Sequence, residues 1–396
     1  VPNREHLVDY DPYSYEIDDD PFPVYRWMRD EAPVYRNERL DFYALTRFAD
    51  VMAGLLDTET YTSAQGITIE EIDNPLPLMI TSDPPYHTRL RTLVNRAFTP
   101  RYVAALEDYI RAKTCSYLDA QVGSGGFDVV RDFTYPLPND IFCELFGVPA
   151  EDRESLHDMI DAGMHREPGS AELPPSARDA LAAMHVYWLD LVKAKRESPD
   201  DGFLSRLLAA EWSDDDGRIH HLDDMEAMGF CGLLVVAGAE TSTKNIANAA
   251  VLLARHPDQR RAIIDEPDLV DGAVEEVLRY DGPSHYQGRK TTRDVELHDV
   301  TIPEGSRVIM VNGAANRDER AFDDPDRFDI TRRIQRHLAF GWGVHLCLGA
   351  HLARMEAKVA IQELLARFPA YEVDESRLER AHSSNVRGYS SVPVSC

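Results

Sequence analysis

The chain has 396 residues, 43% of them hydrophobic and 28% charged, which supports a substantial buried core and excludes a disordered or collagen-like chain and an isolated binding module. Its formal net charge of −27 repels a phosphate backbone, so nucleic acid is excluded as the expected partner. The five scattered cysteines (115, 143, 231, 347 and 396) predict no disulfide framework, and the longest apolar run, 230–239, is about half of what spans a bilayer. The opening Val-Pro-Asn-Arg-Glu-His has no signal-peptide character, so a cytoplasmic protein with no membrane partner is expected.

No fixed-period repeat or low-complexity tract is present, so organisation is read from helical periodicity and its breakers. An amphipathic helix is predicted over 21–30, followed by β-like pieces at 33–36 and 42–46 that suggest a small sheet. Between 84 and 147 three helices are expected, divided by Pro100 and the 123–126 glycine loop, and Pro149 with Glu151 and Asp152 opens another. Segment 167–176 contains Pro168, Gly169, Pro174 and Pro175, cannot continue a helix, and is expected to act as a lid hinge. A second break at 213–217 holds three consecutive aspartates. From 222 to 255 the pattern is helical without a proline, a rod of about 50 Å. A helix at 269–280, a mixed region to 330, a glycine-rich loop, a helix at 348–368 and short terminal strands complete a mainly α pattern without βαβ alternation.

The glycine-rich loop reads Phe340-Gly-Trp-Gly-Val-His345-Leu-Cys347-Leu-Gly349 and runs into the last long helix. Cys347 is thereby expected at a helix N-terminus, where the dipole and unpaired N–H groups favour a thiolate, with Gly341, Gly343 and Gly349 allowing close approach to a flat ligand. His345, Cys347 and His351 have a superficial zinc-like spacing, but no further ligand cluster follows. The loop resembles the cytochrome P450 signature Phe-Gly-x-Gly-x-His/Arg-x-Cys-x-Gly at every fixed position, and Leu352-Ala353-Arg354-Met355-Glu356 after it is similar to soluble bacterial members. The family's other hallmarks occur in order over 20–394.

This resemblance implies the cytochrome P450 fold: mainly α, a triangular helical domain with a long central helix and a small β-rich region, residues 1–396 forming one catalytic domain. It implies haem b as cofactor, with Cys347 as the axial thiolate of the iron, whose electron-rich sulfur favours O–O cleavage. Ala237-Gly238-Ala239-Glu240-Thr241 resembles the oxygen-activation motif, which implies catalytic roles for Glu240 and Thr241 as the acid and hydroxyl that supply protons. Gly238 costs about 1 kcal/mol against Ala in a helix interior, tolerable if the helix bends to admit dioxygen.

By the same resemblance Ala237, Gly238, Phe340 and Gly349 contact the haem, and His87, Arg91, Arg289 and His345 bind its propionates. His87 and Arg91 are four apart and share a helix face. Glu276, Arg279 and Arg327 match a structural triad. The substrate pocket is expected to draw on loop 66–80, on Leu233, Val236 and Ala237, on His285 and Tyr286, and on Asn385 and Val386. Most are apolar, which suits a hydrophobic molecule of roughly 150 to 500 Da; His285 and Asn385 either anchor a polar group or are satisfied by the protein itself.

The implied function is a monooxygenase, one oxygen atom entering substrate and the other reduced to water with electrons from NAD(P)H. No dinucleotide fingerprint or Cys-rich cluster segment lies outside the family core, so a separate iron–sulfur ferredoxin and NAD(P)H-dependent ferredoxin reductase are the implied partners of a monomer. A peroxygenase using hydrogen peroxide is disfavoured by the Glu240–Thr241 pair; a haem-based small-ligand sensor or carrier is the alternative from another class. Windows 331–355 and 84–106 contain no Asp or Glu but hold Arg332, Arg333, Arg336 and Arg354, and Arg89, Arg91, Arg96 and Arg101; an acidic ferredoxin is expected to dock there.

Overall fold

The computed structural model describes residues 9–70, 78–164, 174–214, 216–383 and 385–396. Most of the expected lid hinge, 167–173, lies outside the described residues, as does 71–77 of the expected pocket loop. The chain divides into two compact units: Val1–Pro75, Asp271–Cys347 and Glu379–Ser390 form one, and Leu76–Val270, Leu348–Leu378 and Ser391–Cys396 the other.

The first unit is built on a five-stranded sheet in the order Val34–Asn37, Phe42–Leu45, Arg307–Met310, Gln287–Thr291 and Tyr61–Thr62. Phe42–Leu45 and Arg307–Met310 run parallel; the other pairings are antiparallel. The central strand Arg307–Met310 is buried at every position. Strand alternation turns Ile309 into an aromatic core with Tyr10, Tyr25, Tyr35 and Phe42, and Val308 and Met310 into a second core with Leu45, Val51 and Leu338. The helix predicted at 21–30 is Phe22–Glu31, opened by Pro21.

The second unit is helical around Asp224–Arg255, matching the rod expected at 222–255. Its start is fixed by a capping box: the Asp223 carboxylate accepts the Glu226 N–H at 2.8 Å and the Glu226 carboxylate accepts the Asp223 N–H at 3.0 Å. Its end is fixed by Pro257, which opens the next helix. The rod packs against the helices Pro136–Phe146, Pro175–Glu197 and Ala350–Arg367. Each fully buried Leu, Ile or Phe here contributes about 1.5–3 kcal/mol.

The expected three-helix stretch is more divided. The middle helix breaks at Leu106 into Pro100–Ala104 and Glu107–Asp119, and a short strand, Gly126–Asp128, with a π-helical turn, Val130–Thr134, precedes Pro136–Phe146. Among the described residues no helix is long and apolar enough to cross a membrane.

Candidate active site

In the first unit the Cys347 loop is shaped by two residues whose φ angles demand glycine. Gly341 and Gly343 lie at φ 66° and 71°, and a β-carbon on Gly343 would also stand 2.8 Å from the Leu55 carbonyl oxygen. These bends fold the loop back so that the Cys347 N–H donates to the Phe340 carbonyl at 2.9 Å. Cys347 is half-buried, is in no disulfide, and stands two residues before Gly349, the N-cap of Ala350–Arg367. His345 lies 3.2 Å through Nε2 from the Ser63 hydroxyl. Arg289 is buried in the sheet opposite Val308, an interior position for a guanidinium.

Glu276 and Arg279 form the expected pair, fully buried, with two hydrogen bonds of 2.7 Å. The third member differs. Arg327 is 68% exposed along its side chain and lies 3.7 Å from Asp329, whereas Arg332 stands 3.3 Å from Glu276 with its side chain only 13% exposed. Arg332 also donates to the carbonyls of Asp323, Asp324 and Arg327, so Arg327 takes part through its backbone alone.

In the second unit the long helix runs unbroken through Ala237–Thr241. Gly238 is required by packing: a β-carbon there would overlap the Phe142 ring. The Thr241 hydroxyl donates to the Ala237 carbonyl at 2.7 Å, so the helix is bonded to itself at the motif. Ala237 is exposed, and Leu233, Val236, Glu240 and Thr241 are partly so, on a helix whose remainder is largely buried. This opening is the exposed stretch in the middle of the rod.

His87 and Arg91 share a face of the helix Tyr86–Ala97, as their spacing predicts. Burial, then the Arg91 charge, holds the His87 pKa below the usual imidazole range. Glu356 on Ala350–Arg367 is fully buried; burial raises its pKa to about 7, opposed by the Ser242 hydroxyl. Its position could have been found in the sequence, since 352, 356 and 360 place it on the same face as the buried Leu352 and Ala360.

The pocket expected from His285, Tyr286, Asn385 and Val386 forms only in part. The His285 N–H donates to the Asn385 carbonyl at 2.9 Å, and Ser284 bridges Val386, so the two segments do meet. Tyr286, however, is fully buried in the aromatic core, and His285 is buried with Nδ1 3.0 Å from the Tyr25 hydroxyl. The protein itself satisfies His285.

The sequence pattern of the family described as cytochrome P450 matches residues 77–386. The chain belongs to the cytochrome P450 family. It is 43% identical to cytochrome P450 123 of Mycobacterium tuberculosis, covering 97% of this chain and 96% of that one. It is 38% identical to vitamin D(3) 25-hydroxylase of Pseudonocardia autotrophica over 97% and 96%. Among solved structures, CYP109E1 from Bacillus megaterium in complex with corticosterone aligns with a TM-score of 0.87 at 32% identity, covering 96% of this chain and 99% of that one. The chain is thus a cytochrome P450 monooxygenase, of a family that binds haem iron and acts on small hydrophobic substrates.

The residues present fit haem. The first unit holds a cysteine outside any disulfide on a glycine-turned loop, a buried guanidinium, Arg289, and His345. In the second, burial and then the Arg91 charge disfavour the charged form of His87, which a propionate carboxylate would favour. Among the described residues no group of three or more His, Cys, Asp or Glu could hold a bare metal ion.

Proposed function

We propose that this P450, acting as one catalytic domain over 1–396, binds haem b through Cys347 as the only protein ligand of the iron. It hydroxylates a hydrophobic small molecule with electrons from NAD(P)H, delivered by a ferredoxin reductase and an iron–sulfur ferredoxin. The observation that carries the reading is the loop that presents the Cys347 thiol. Arg289, His345, Arg91 and His87, donating through a ring N–H, would hold the propionates. Haem, when bound, supplies the oxygen-activating and electron-accepting chemistry.

The chain supplies the rest. The Thr241 hydroxyl donates to the Ala237 carbonyl, so its oxygen is left to accept a hydrogen bond from a ligand on the open side of the helix and hold it in place, while Glu240, an acid on the same partly exposed stretch, would give up the proton and regain one from solvent. Ala237, Leu233 and Val236 exclude water beside that hydroxyl. A substrate of sterol size is supported by the names of the hydroxylase relative and the corticosterone-bound neighbour.

For the ferredoxin, the first unit offers exposed Arg333 and Arg336 with Val344 and Leu346, the latter two 39% and 40% exposed on either side of His345. Other arginines of the two windows are occupied within the fold: Arg89 by Glu226, Arg96 by the Glu211 carbonyl and Arg332 by Glu276. An acidic partner fits exposed arginines and exposed apolar side chains carried by the same unit.

Holoenzyme assayed for NADH consumption and product with surrogate ferredoxin and reductase, across hydrophobic candidates, tests the reading. Substrate-dependent NADH use with oxygenated product is expected, and a higher half-saturating ferredoxin concentration in Arg333→Glu. Product formed only from added hydrogen peroxide would favour the peroxygenase instead, and binding without turnover the sensor.

A further inference from the structure

Among the described residues, a leucine side chain packs on the long helix at one end of its open stretch. Gly229, Leu233 and Ala237 follow one another at intervals of four and so lie along one face, about 12 Å from first to last. Ala237 is exposed and Leu233 partly exposed, but Gly229 is buried. What buries it is Leu78: a β-carbon on Gly229 would stand 2.6 Å from Leu78 Cδ2, so the missing side chain is the notch that seats the leucine.

Leu78 is held in place from its own backbone. Its N–H donates to the Thr81 hydroxyl at 3.1 Å, and its carbonyl accepts from the Ser82 hydroxyl at 2.7 Å. The helix that follows is tied to the start of the rod, where the Tyr86 hydroxyl donates to Glu226 at 2.8 Å and Arg89 pairs with the same carboxylate. Glu226 lies three residues before Gly229 and is also locked in the capping box. The leucine therefore abuts the rod at a braced position.

Resting on the P450 reading above, we propose that Leu78 seated on Gly229 is the end wall of the substrate site and sets the length of apolar ligand that fits along the helix from Ala237. Leu78 and Gly229 are specificity-determining residues with opposed effects. Removing the isobutyl group lengthens the trough. Adding a methyl at 229 pushes the leucine, the movable end of a flexible side chain, back toward Leu233 and shortens it.

The test uses 1-alkylimidazoles of increasing chain length against the ferric holoenzyme, read by the Soret shift on nitrogen ligation. The imidazole fixes one end of every ligand at the iron, so the tail alone reports the wall. In the unaltered enzyme affinity is expected to rise roughly fourfold per added methylene until the tail meets the wall, and then to level or fall. Leu78→Ala moves that break to longer chains and Gly229→Ala to shorter ones, while imidazole itself binds all three proteins alike. A break at the same length in all three, or a uniform loss at every length, overturns the end wall. No Soret shift with imidazole in the unaltered enzyme would overturn the haem reading beneath it, and the end wall with it.

Discussion

The Phe142 ring occupies the space that a β-carbon on Gly238 would take. Both residues belong to the helical unit, Phe142 on Pro136–Phe146 and Gly238 midway along the rod. Gly238 is thus explained by contact with a neighbouring helix.

Gly238→Ala should therefore destabilise the protein by about 1–3 kcal/mol through overpacking, despite the up to about 1 kcal/mol that alanine gains in helix propensity. Phe142→Leu frees the ring's space at its own cost. The two changes together should cost less than the sum of the singles by at least about 0.5 kcal/mol. Chemical denaturation of the four proteins measures this, and additive costs would show that the contact is not what selects glycine.

Glu276, Arg279 and Arg332 form the buried network, and Arg327 does not join it through its side chain. Arg279→Ala strands a fully buried carboxylate and should cost about 3–5 kcal/mol, with little holoprotein recovered. Arg332→Ala should be intermediate, and Arg327→Ala within about 0.5 kcal/mol of the parent. Haem content per mole of purified protein and thermal midpoints rank the three variants.

Glu356 makes stability depend on pH. Its pKa rises from an ordinary 4.5 to about 7 on folding because burial penalises the charge. Below pH 4.5 the group is neutral folded or unfolded and no stability is lost; between 4.5 and 7 the unfolded chain gives up the proton first, and stability falls; above 7 the loss is complete. Glu356→Gln removes this dependence, so it should be more stable than the parent at pH 8, by on the order of 3 kcal/mol, and about equal to it at pH 4.5. Urea midpoints at several pH values across this range check the sign.

Thr241→Ala should keep substrate affinity and NADH consumption but lower the product formed per NADH, with the balance released as hydrogen peroxide. Glu240→Gln should slow the whole turnover, because it removes the acid that would supply protons to the site. Product, peroxide and NADH measured in the same reaction separate the two effects.

Much of this was legible because the signals are local. The rod was readable from unbroken periodicity between Asp223 and Pro257, and the Cys347 loop from glycines at fixed offsets. What escaped depends on partners far apart in sequence. Arg327 and Arg332 sit five apart in an irregular segment, where no periodicity says which side chain turns toward Glu276. Arg89 reads as a free surface cation until Glu226, 137 positions away, is seen to pair with it. Tyr286 and His285 follow a strand-like pattern that does not reveal the aromatic layer from Tyr10 and Tyr25 covering them.

The central claim is that the Cys347 thiolate is the protein's ligand to haem iron, and the ferrous carbon monoxide spectrum tests it most directly. The parent holoenzyme should show the red-shifted Soret band of a thiolate-ligated carbonyl complex, and Cys347→His, purified with haem, should lack it. Persistence of that band in Cys347→His would contradict the account.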